Sequence, residues 1–211
     1  MSSVQADPPV VQTTARSSLL ATAERLIGER GIEVSLREIA AAAGQRNNSA
    51  VHYHFGGRDA LLEAVVDLRQ QSMESQRLEM YADLDTEGRR DIHRLVEVLI
   101  FPMFDRPYAE GATHYARFLE KIRDHPTFSS AAFQSQHWPA TKMLVGRIAK
   151  SMDTLPPVVV EARLRSMMTA MFALLADAER RFEADGRKPA VTDASPVVDM
   201  LVGMLTAPPS R

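Results

Sequence analysis

The stretch from Ser35 to Phe55, SLREIAAAAGQRNNSAVHYHF, decides how the chain is read. Its first half is apolar and rich in alanine, whereas its second half crowds an arginine, two asparagines, two histidines and a tyrosine between apolar neighbours. Ser35-Leu36-Arg37-Glu38 has the form of a capping box, in which the serine hydroxyl and the glutamate carboxylate satisfy each other's backbone amides. A helix is therefore predicted from Leu36, about nine residues long. Leu36, Ile39, Ala40 and Ala43 form its apolar stripe, and Gly44 supplies the left-handed conformation that ends it. Asn47 and Asn48 are alternative N-caps for a third short helix running to Phe55, with Val51 and Phe55 four apart on its inner face. Gly56-Gly57 closes that helix.

Upstream, Leu19, Ala23, Leu26 and Ile27 recur at helical spacing between Arg16 and Arg30, and Gly31 follows as a stop. Residues 1–14 carry Pro8, Pro9 and small polar side chains and read as a mobile arm. Three helices, the last two short and joined by a glycine-led turn, match a helix-turn-helix. In that setting Ala40, Ala41, Ala42 and Ala43 are expected to keep the second helix thin, so that the third crosses close over it.

Composition limits the alternatives. The 211 residues are 45% hydrophobic, enough for a substantial core, and the net charge of −2 argues against non-specific coating of nucleic acid without excluding a local basic surface. The chain has no cysteine, which removes disulfides, thiolate nucleophiles and sulfur-ligated metals. No apolar run is long enough to span a membrane, and the first residues have neither the basic region nor the apolar core of a secretory signal. A soluble cytoplasmic protein is expected. His52 and His54 stand two apart, which on a helix points them in different directions, so no metal site is expected there. No nucleophile–base pair or phosphate-binding glycine loop marks a catalytic centre, and neither enzyme activity nor a cofactor is expected. The competing reading is a helical enzyme or small-molecule carrier with the HYHF segment in a cleft.

Taken together, Glu29-Arg30-Gly31, Ser35-Leu36-Arg37-Glu38-Ile39-Ala40, Ala43-Gly44 and the run from Val51 through Phe55 and Arg58 to Leu62 resemble the TetR family of transcriptional regulators. The likeness covers about residues 16–65 and is specific as a set. Two features depart from the family pattern: the turn Gln45-Arg46-Asn47-Asn48-Ser49 is one residue longer than is common, and His52 replaces a usual tyrosine. The resemblance implies an all-α protein with an N-terminal helix-turn-helix domain (15–60) and a C-terminal helical ligand-binding and dimerisation domain (61–211), with a connector helix at about 60–84. It implies a homodimer that binds a palindromic double-stranded DNA operator, acts as a repressor and is released by a small-molecule effector.

Under that resemblance, Arg46 suits a bidentate contact to guanine, and Asn47 or Asn48 suits one to adenine. Ser49 and His52, early in the recognition helix, are further base readers, with His52 inheriting an outward position from the family. Arg58 matches a family lysine at the start of the fourth helix and is assigned to phosphate, as are Arg16, Arg37 and Tyr53. For Tyr53 and His54 the family pattern equally allows packing of the small domain.

Beyond residue 60 helical periodicity continues in segments at about 60–84, then Ile92–Phe104, Ala109–Arg123, Ser129–Met152, Pro157–Ala184 and Ser195–Thr206, with Pro102, Pro107, Pro126, Pro139 and Pro156-Pro157 as ends or kinks. The last two segments hold more apolar positions than one core-facing stripe needs, which fits the family's four-helix dimer interface; Met168, Leu175, Met200, Leu201 and Met204 are its candidates. Phe101, Phe104, Tyr108, Tyr115, Phe118, Trp138, Met143, Met167, Met171 and Phe172 are candidate walls of an effector pocket. Phe133, Gln134, His114 and His137 are possible additions. Plain core packing is the competing role for most of them.

Overall fold

A computed structural model describes residues 10–47, 49–104, 114–126, 138–187 and 190–208, and among these every regular element is helical. In chain order the helices are α1 (Val10–Arg30), α2 (Leu36–Ala42), α3 (Ala50–Phe55), α4 (Arg58–Asp83), α5 (Ile92–Ile100), α6 (Tyr115–Ile122), α7 (Pro139–Lys150), α8 (Pro157–Ala184) and α9 (Ser195–Thr206). The all-α expectation is met. The first helix starts six residues earlier than its periodicity suggested, at Val10 rather than Arg16, which shortens the expected arm of residues 1–14. The apolar pattern marks only the part of a helix that packs; nothing in VVQTTA breaks the helix before that part begins.

The head is built on α1, α2 and α3. Leu19, Ala23, Leu26 and Ile27 are all buried, and Gly31 ends α1 at φ +93°. At α2 the capping box forms in full: the Ser35 hydroxyl accepts from the Glu38 amide, and the Glu38 carboxylate accepts from the Ser35 amide at 2.9 Å. Its far end is a Schellman motif, with Gln45 N donating to Ala40 O (2.9 Å), Gly44 N donating to Ala41 O (3.0 Å) and Gly44 at φ +71°. Of the four alanines only Ala40 is fully buried; Ala41 and Ala42 face solvent and Ala43 is half-buried. Close packing of this helix therefore rests on one alanine face and not on all four residues.

α4, about 39 Å long at 1.5 Å per residue, leaves the head and forms one side of the body. The expected domain boundary at 60/61 falls in its first turn. One apolar core runs from Leu19 and Val51 in the head through Leu62 and Val66 to Leu119, Leu175 and Leu201 in the body. Pro102 turns the end of α5 into a short 3-10 segment (Phe101–Met103), and Pro139 opens α7, so both prolines act as boundaries. The expected segment from Ser129 is described only from Trp138 onward; Tyr108, Phe133, Gln134, His137 and Asn48 lie outside the described residues.

Of the body helices that begin without a side-chain cap of their own, two are capped instead by buried glutamates from neighbouring helices. Glu74 of α4 accepts from Ala140 N (2.6 Å), Thr141 N (3.1 Å) and Thr141 Oγ1 (2.5 Å) at the start of α7. Glu179 of α8 accepts from Ala116 N (2.9 Å) and Arg117 N (3.0 Å) at the start of α6. Each carboxylate sits where orphan amides and the positive end of the helix dipole favour an anion. Each also pairs with an arginine: Arg77 with Glu74 at 3.3 Å, and Arg117 with Glu179 at 3.6 Å. Arg77 further donates to Leu99 O from Nε (3.2 Å) and Nη2 (3.1 Å), holding the C-terminal end of α5. The second half of α4, which reads as an increasingly charged connector, is thus partly the polar interior of the body.

Candidate nucleic-acid interface

α3 is fixed from beneath. Ala50 and Val51 are buried, Phe55 is half-buried against the core, and Gly56 closes the helix at φ +84°. The Arg16 guanidinium covers the Phe55 ring with its carbon 5.1 Å from the centroid, a cation–π contact that ties α1 to α3. At the start of α3 the Asn47 side-chain carbonyl accepts from the Ser49 amide at 2.9 Å, so Asn47 organises the turn but is not the N-cap it was expected to be. Ser49 occupies the cap position without a side-chain capping bond.

With its inner face so anchored, α3 presents Ser49, His52 and Tyr53 at i, i+3 and i+4, one helical face, and all three are exposed, Tyr53 at 74%. Arg46 and Asn47 in the preceding turn and Arg37 on α2 are exposed as well. No acidic residue occurs between Ile39 and Arg58. The carboxylate that precedes this stretch, Glu38, is held by the Ser35 amide and hydroxyl and by Arg30 at 2.6 Å; these bonds lower its pKa to about 2. The surface is hydrogen-bonding, locally cationic and free of buried charge, which suits contact with base edges and phosphates.

Two phosphate candidates fare differently from each other. Tyr53 is free of core packing, with its ring edge-on to His54 at 5.0 Å, and is therefore available to a partner. Arg58 turns inward: Nη1 donates to Ile32 O (2.5 Å) and Nη2 to Val34 O (2.6 Å), so the guanidinium holds the α1–α2 loop against the start of α4. Those two carbonyls lack helical partners of their own, and a half-buried arginine satisfies both more readily than it reaches a phosphate.

The head meets the body at a joint that sequence periodicity does not reveal. A Cβ at Gly28 of α1 would lie 3.0 Å from the His114 carbonyl, 3.2 Å from His114 Cβ and 3.3 Å from Phe118 N, so α1 and the start of α6 touch backbone to backbone. Beside this contact, buried Glu24 of α1 takes a bidentate pair from Arg69 of α4 (2.7 and 3.0 Å). His114 is buried there, and burial first, then Arg117, lowers its pKa. Its Nε2 lies 3.2 Å from Glu29 Oε1 yet is not aligned for a hydrogen bond, so proximity here is not a formed bond. His114, a possible pocket residue by sequence, thus lies at the joint between head and body.

Among the pocket candidates, Phe104, Tyr115, Phe118, Met167, Met171 and Phe172 are buried in the body core, while Phe101, Trp138 and Met143 pack against it. Tyr115 and Phe118 stack at 6.4 Å, and burial raises the pKa of the Tyr115 phenol, which accepts from Gln70 Nε2 at 3.4 Å. The dimer candidates divide. Met200 (48% exposed) and Met204 (38%) face outward and Met168 is half-buried, whereas Leu175 and Leu201 are buried within their own chain. Val158, which is 72% exposed, extends the outward apolar set. Helical periodicity identifies α8 and α9 as apolar on more than one side, but burial is needed to say which side serves this chain's own core.

The missed caps had a signal. Glu74 and Arg77 continue the α4 stripe of Leu62, Val66 and Met73, and Glu179 continues the α8 stripe of Phe172, Leu175 and Ala176. A charge at a core position implies a buried partner.

Residues 19–65 match the family model for bacterial regulatory proteins of the tetR family. No curated protein sequence matches the chain. Among solved structures the chain is similar to a TetR family transcription regulator from Marinobacter aquaeolei VT8, with a TM-score of 0.59, 15% identity and coverage of 92% of this chain and 96% of that one. It is similar also to a TetR-like transcriptional regulator from Rhodococcus sp. RHA1 (TM-score 0.56, 20% identity, 95% and 96% covered). A third likeness is to NalD of Pseudomonas aeruginosa, described as the secondary repressor of the MexAB-OprM multidrug efflux pump (TM-score 0.51, 18% identity, 92% and 96% covered). At these identities the likeness is one of fold, along nearly the whole length of each chain.

Proposed function

We propose, from the match of residues 19–65 to the family model for bacterial regulatory proteins of the tetR family, that the chain is a transcriptional regulator, a repressor that grips a palindromic operator as a homodimer in the cytoplasm and lets go when a small molecule enters its helical body. One observation carries the reading: α3 is anchored by Val51, Phe55 and Gly56 and turns a wholly exposed polar face, Ser49, His52 and Tyr53, away from the core beside Arg46 and Asn47. That outward face disfavours the alternative of an HYHF segment lining a cleft, because two of the four side chains stand in solvent. No helix among the described residues is long and apolar enough to cross a membrane.

In this reading Arg46, Asn47, Asn48, Ser49 and His52 read bases, and Arg16, Arg37 and Tyr53 hold phosphates. Arg58 is reassigned to positioning the head. Met168, Met200, Met204 and Val158 supply the apolar contact between two copies. The effector would enter among Phe101, Phe104, Tyr115, Phe118 and the methionines of α8, and would act by favouring a placement of α6 that alters the set of the heads through the Gly28 joint. A pool of random duplexes selected against the protein at several salt concentrations tests the core of this. An inverted repeat with half-sites about one helical turn apart is expected, bound less tightly as salt rises. Equal weak binding to every duplex would refute the regulator reading.

A further inference from the structure

We infer that His52 is a hydrogen-bond acceptor toward DNA, reading an exocyclic amine in the major groove through Nε2. This rests on the reading of α3 as a recognition helix. The ring's Nδ1 lies 3.3 Å from the Gly56 carbonyl oxygen, four residues on. A carbonyl oxygen only accepts, so Nδ1 is the nitrogen that carries hydrogen in this contact. In a neutral imidazole the second nitrogen is then an acceptor with no proton to give. The Gly56 carbonyl is placed where it is by the glycine's left-handed backbone at φ +84°, which also closes α3. The tautomer is therefore set by the same residue that ends the helix.

His52 is exposed and shares its helical face with Ser49 and Tyr53, so Nε2 looks outward with them. Along a major groove the donors available to an acceptor are the N4 amine of cytosine and the N6 amine of adenine. The tyrosine that the resemblance leads one to expect at this position carries a hydroxyl, which both donates and accepts. A neutral His52 in this tautomer does one of the two. It narrows the choice at one base pair of each half-site, and it complements Arg46, which only donates.

The test has two arms, both run at about pH 8.5. Nitrogen-15 imidazole spectra of the free protein, assigned by comparison with His52→Ala, are expected to show Nδ1 protonated and Nε2 bare; the opposite tautomer overturns the inference. In the second arm, wild type and His52→Ala are titrated against the selected operator and against versions in which one cytosine or adenine per half-site is replaced by an analogue lacking the amine. Loss of the amine at one position should weaken wild type roughly three- to tenfold, the scale of one hydrogen bond, and leave His52→Ala unchanged. If no position shows a loss confined to wild type, the inference is overturned. Should no sequence-specific complex form at all, the regulator reading fails and this one with it, whereas a specific complex in which no amine loss is confined to wild type removes this inference and leaves the regulator reading standing.

Discussion

Arg46 and Arg58 show how far two arginines twelve positions apart can differ in work. Arg46 is exposed in the turn before α3, and Arg46→Ala is expected to flatten base preference at one or two operator positions while leaving the melting temperature unchanged. Arg58 donates to the carbonyls of Ile32 and Val34, so Arg58→Ala should cost about 1–3 kcal/mol of stability by leaving them unsatisfied, with DNA affinity falling only as the head loosens. Thermal melts and operator-library binding of both variants check the contrast; equal loss of affinity with unchanged melting for Arg58→Ala would restore it to the phosphate. Glu38 gives a pH dependence. Its pKa is lowered in the folded chain to about 2 from 4.5, so the capping contribution is complete above pH 4.5 and disappears as pH falls toward 2. A carbon-13 titration of the Glu38 carboxyl should find that depressed midpoint, and Ser35→Ala should move it upward.

At the scale of helices, most boundaries were legible because they are written locally. The capping box at Ser35, the glycines at 31, 44 and 56, and the prolines at 102, 139 and 157 each act within a few residues of themselves. Contacts between helices were less legible, since they depend on partners far along the chain. Arg58 is a case: its family resemblance suggested phosphate, while the carbonyls that occupy it lie more than twenty residues away. Asn47 is a nearer miss: expected as an N-cap, it organises the turn through the Ser49 amide two residues on, while Ser49 itself takes the cap position. The trans-capping glutamates are likewise long-range, and replacing one should be severe. Glu179→Leu leaves two α6 amides without an acceptor and breaks the pair with Arg117, a loss of about 3–5 kcal/mol expected in chemical denaturation. At the α1–α6 joint, Gly28→Val should force the helices apart at a cost of about 1–3 kcal/mol, and should also shift effector-free DNA affinity, because the strain falls where head meets body. His114 lies in the same joint with its pKa lowered by burial. Below 6.5 the unfolded chain takes up a proton that the folded chain resists, so its contribution is full above that pH and is lost on acidification. Denaturation at about pH 7.5 and 5.5 should show a smaller drop for His114→Gln than for wild type.

For the whole molecule, α8 and α9 have to serve an interior and an exterior at once. Met200→Glu combined with Met204→Glu places charge on the outward face and should yield folded monomers in sedimentation, with binding to the inverted repeat reduced to that of a half-site. Leu201→Ala, on the inward face of the same helix, should instead lower stability by about 2–5 kcal/mol, with any loss of dimer following from unfolding. The two outcomes separate assembly from folding on a single twelve-residue helix. The continuity of the core also bears on how such proteins can be recombined. Exchanging specificities by transplanting residues up to about 60 onto another body is attractive when a head is a self-contained cassette. Here that cut would carry off Gly28 and Glu24 while leaving behind the His114 backbone and Arg69 that fit against them. If the chain works as proposed, a graft with a larger residue at the Gly28 position is expected to bind the donor's DNA and yet ignore the recipient's effector, and a working hybrid has to take both sides of the joint from one parent.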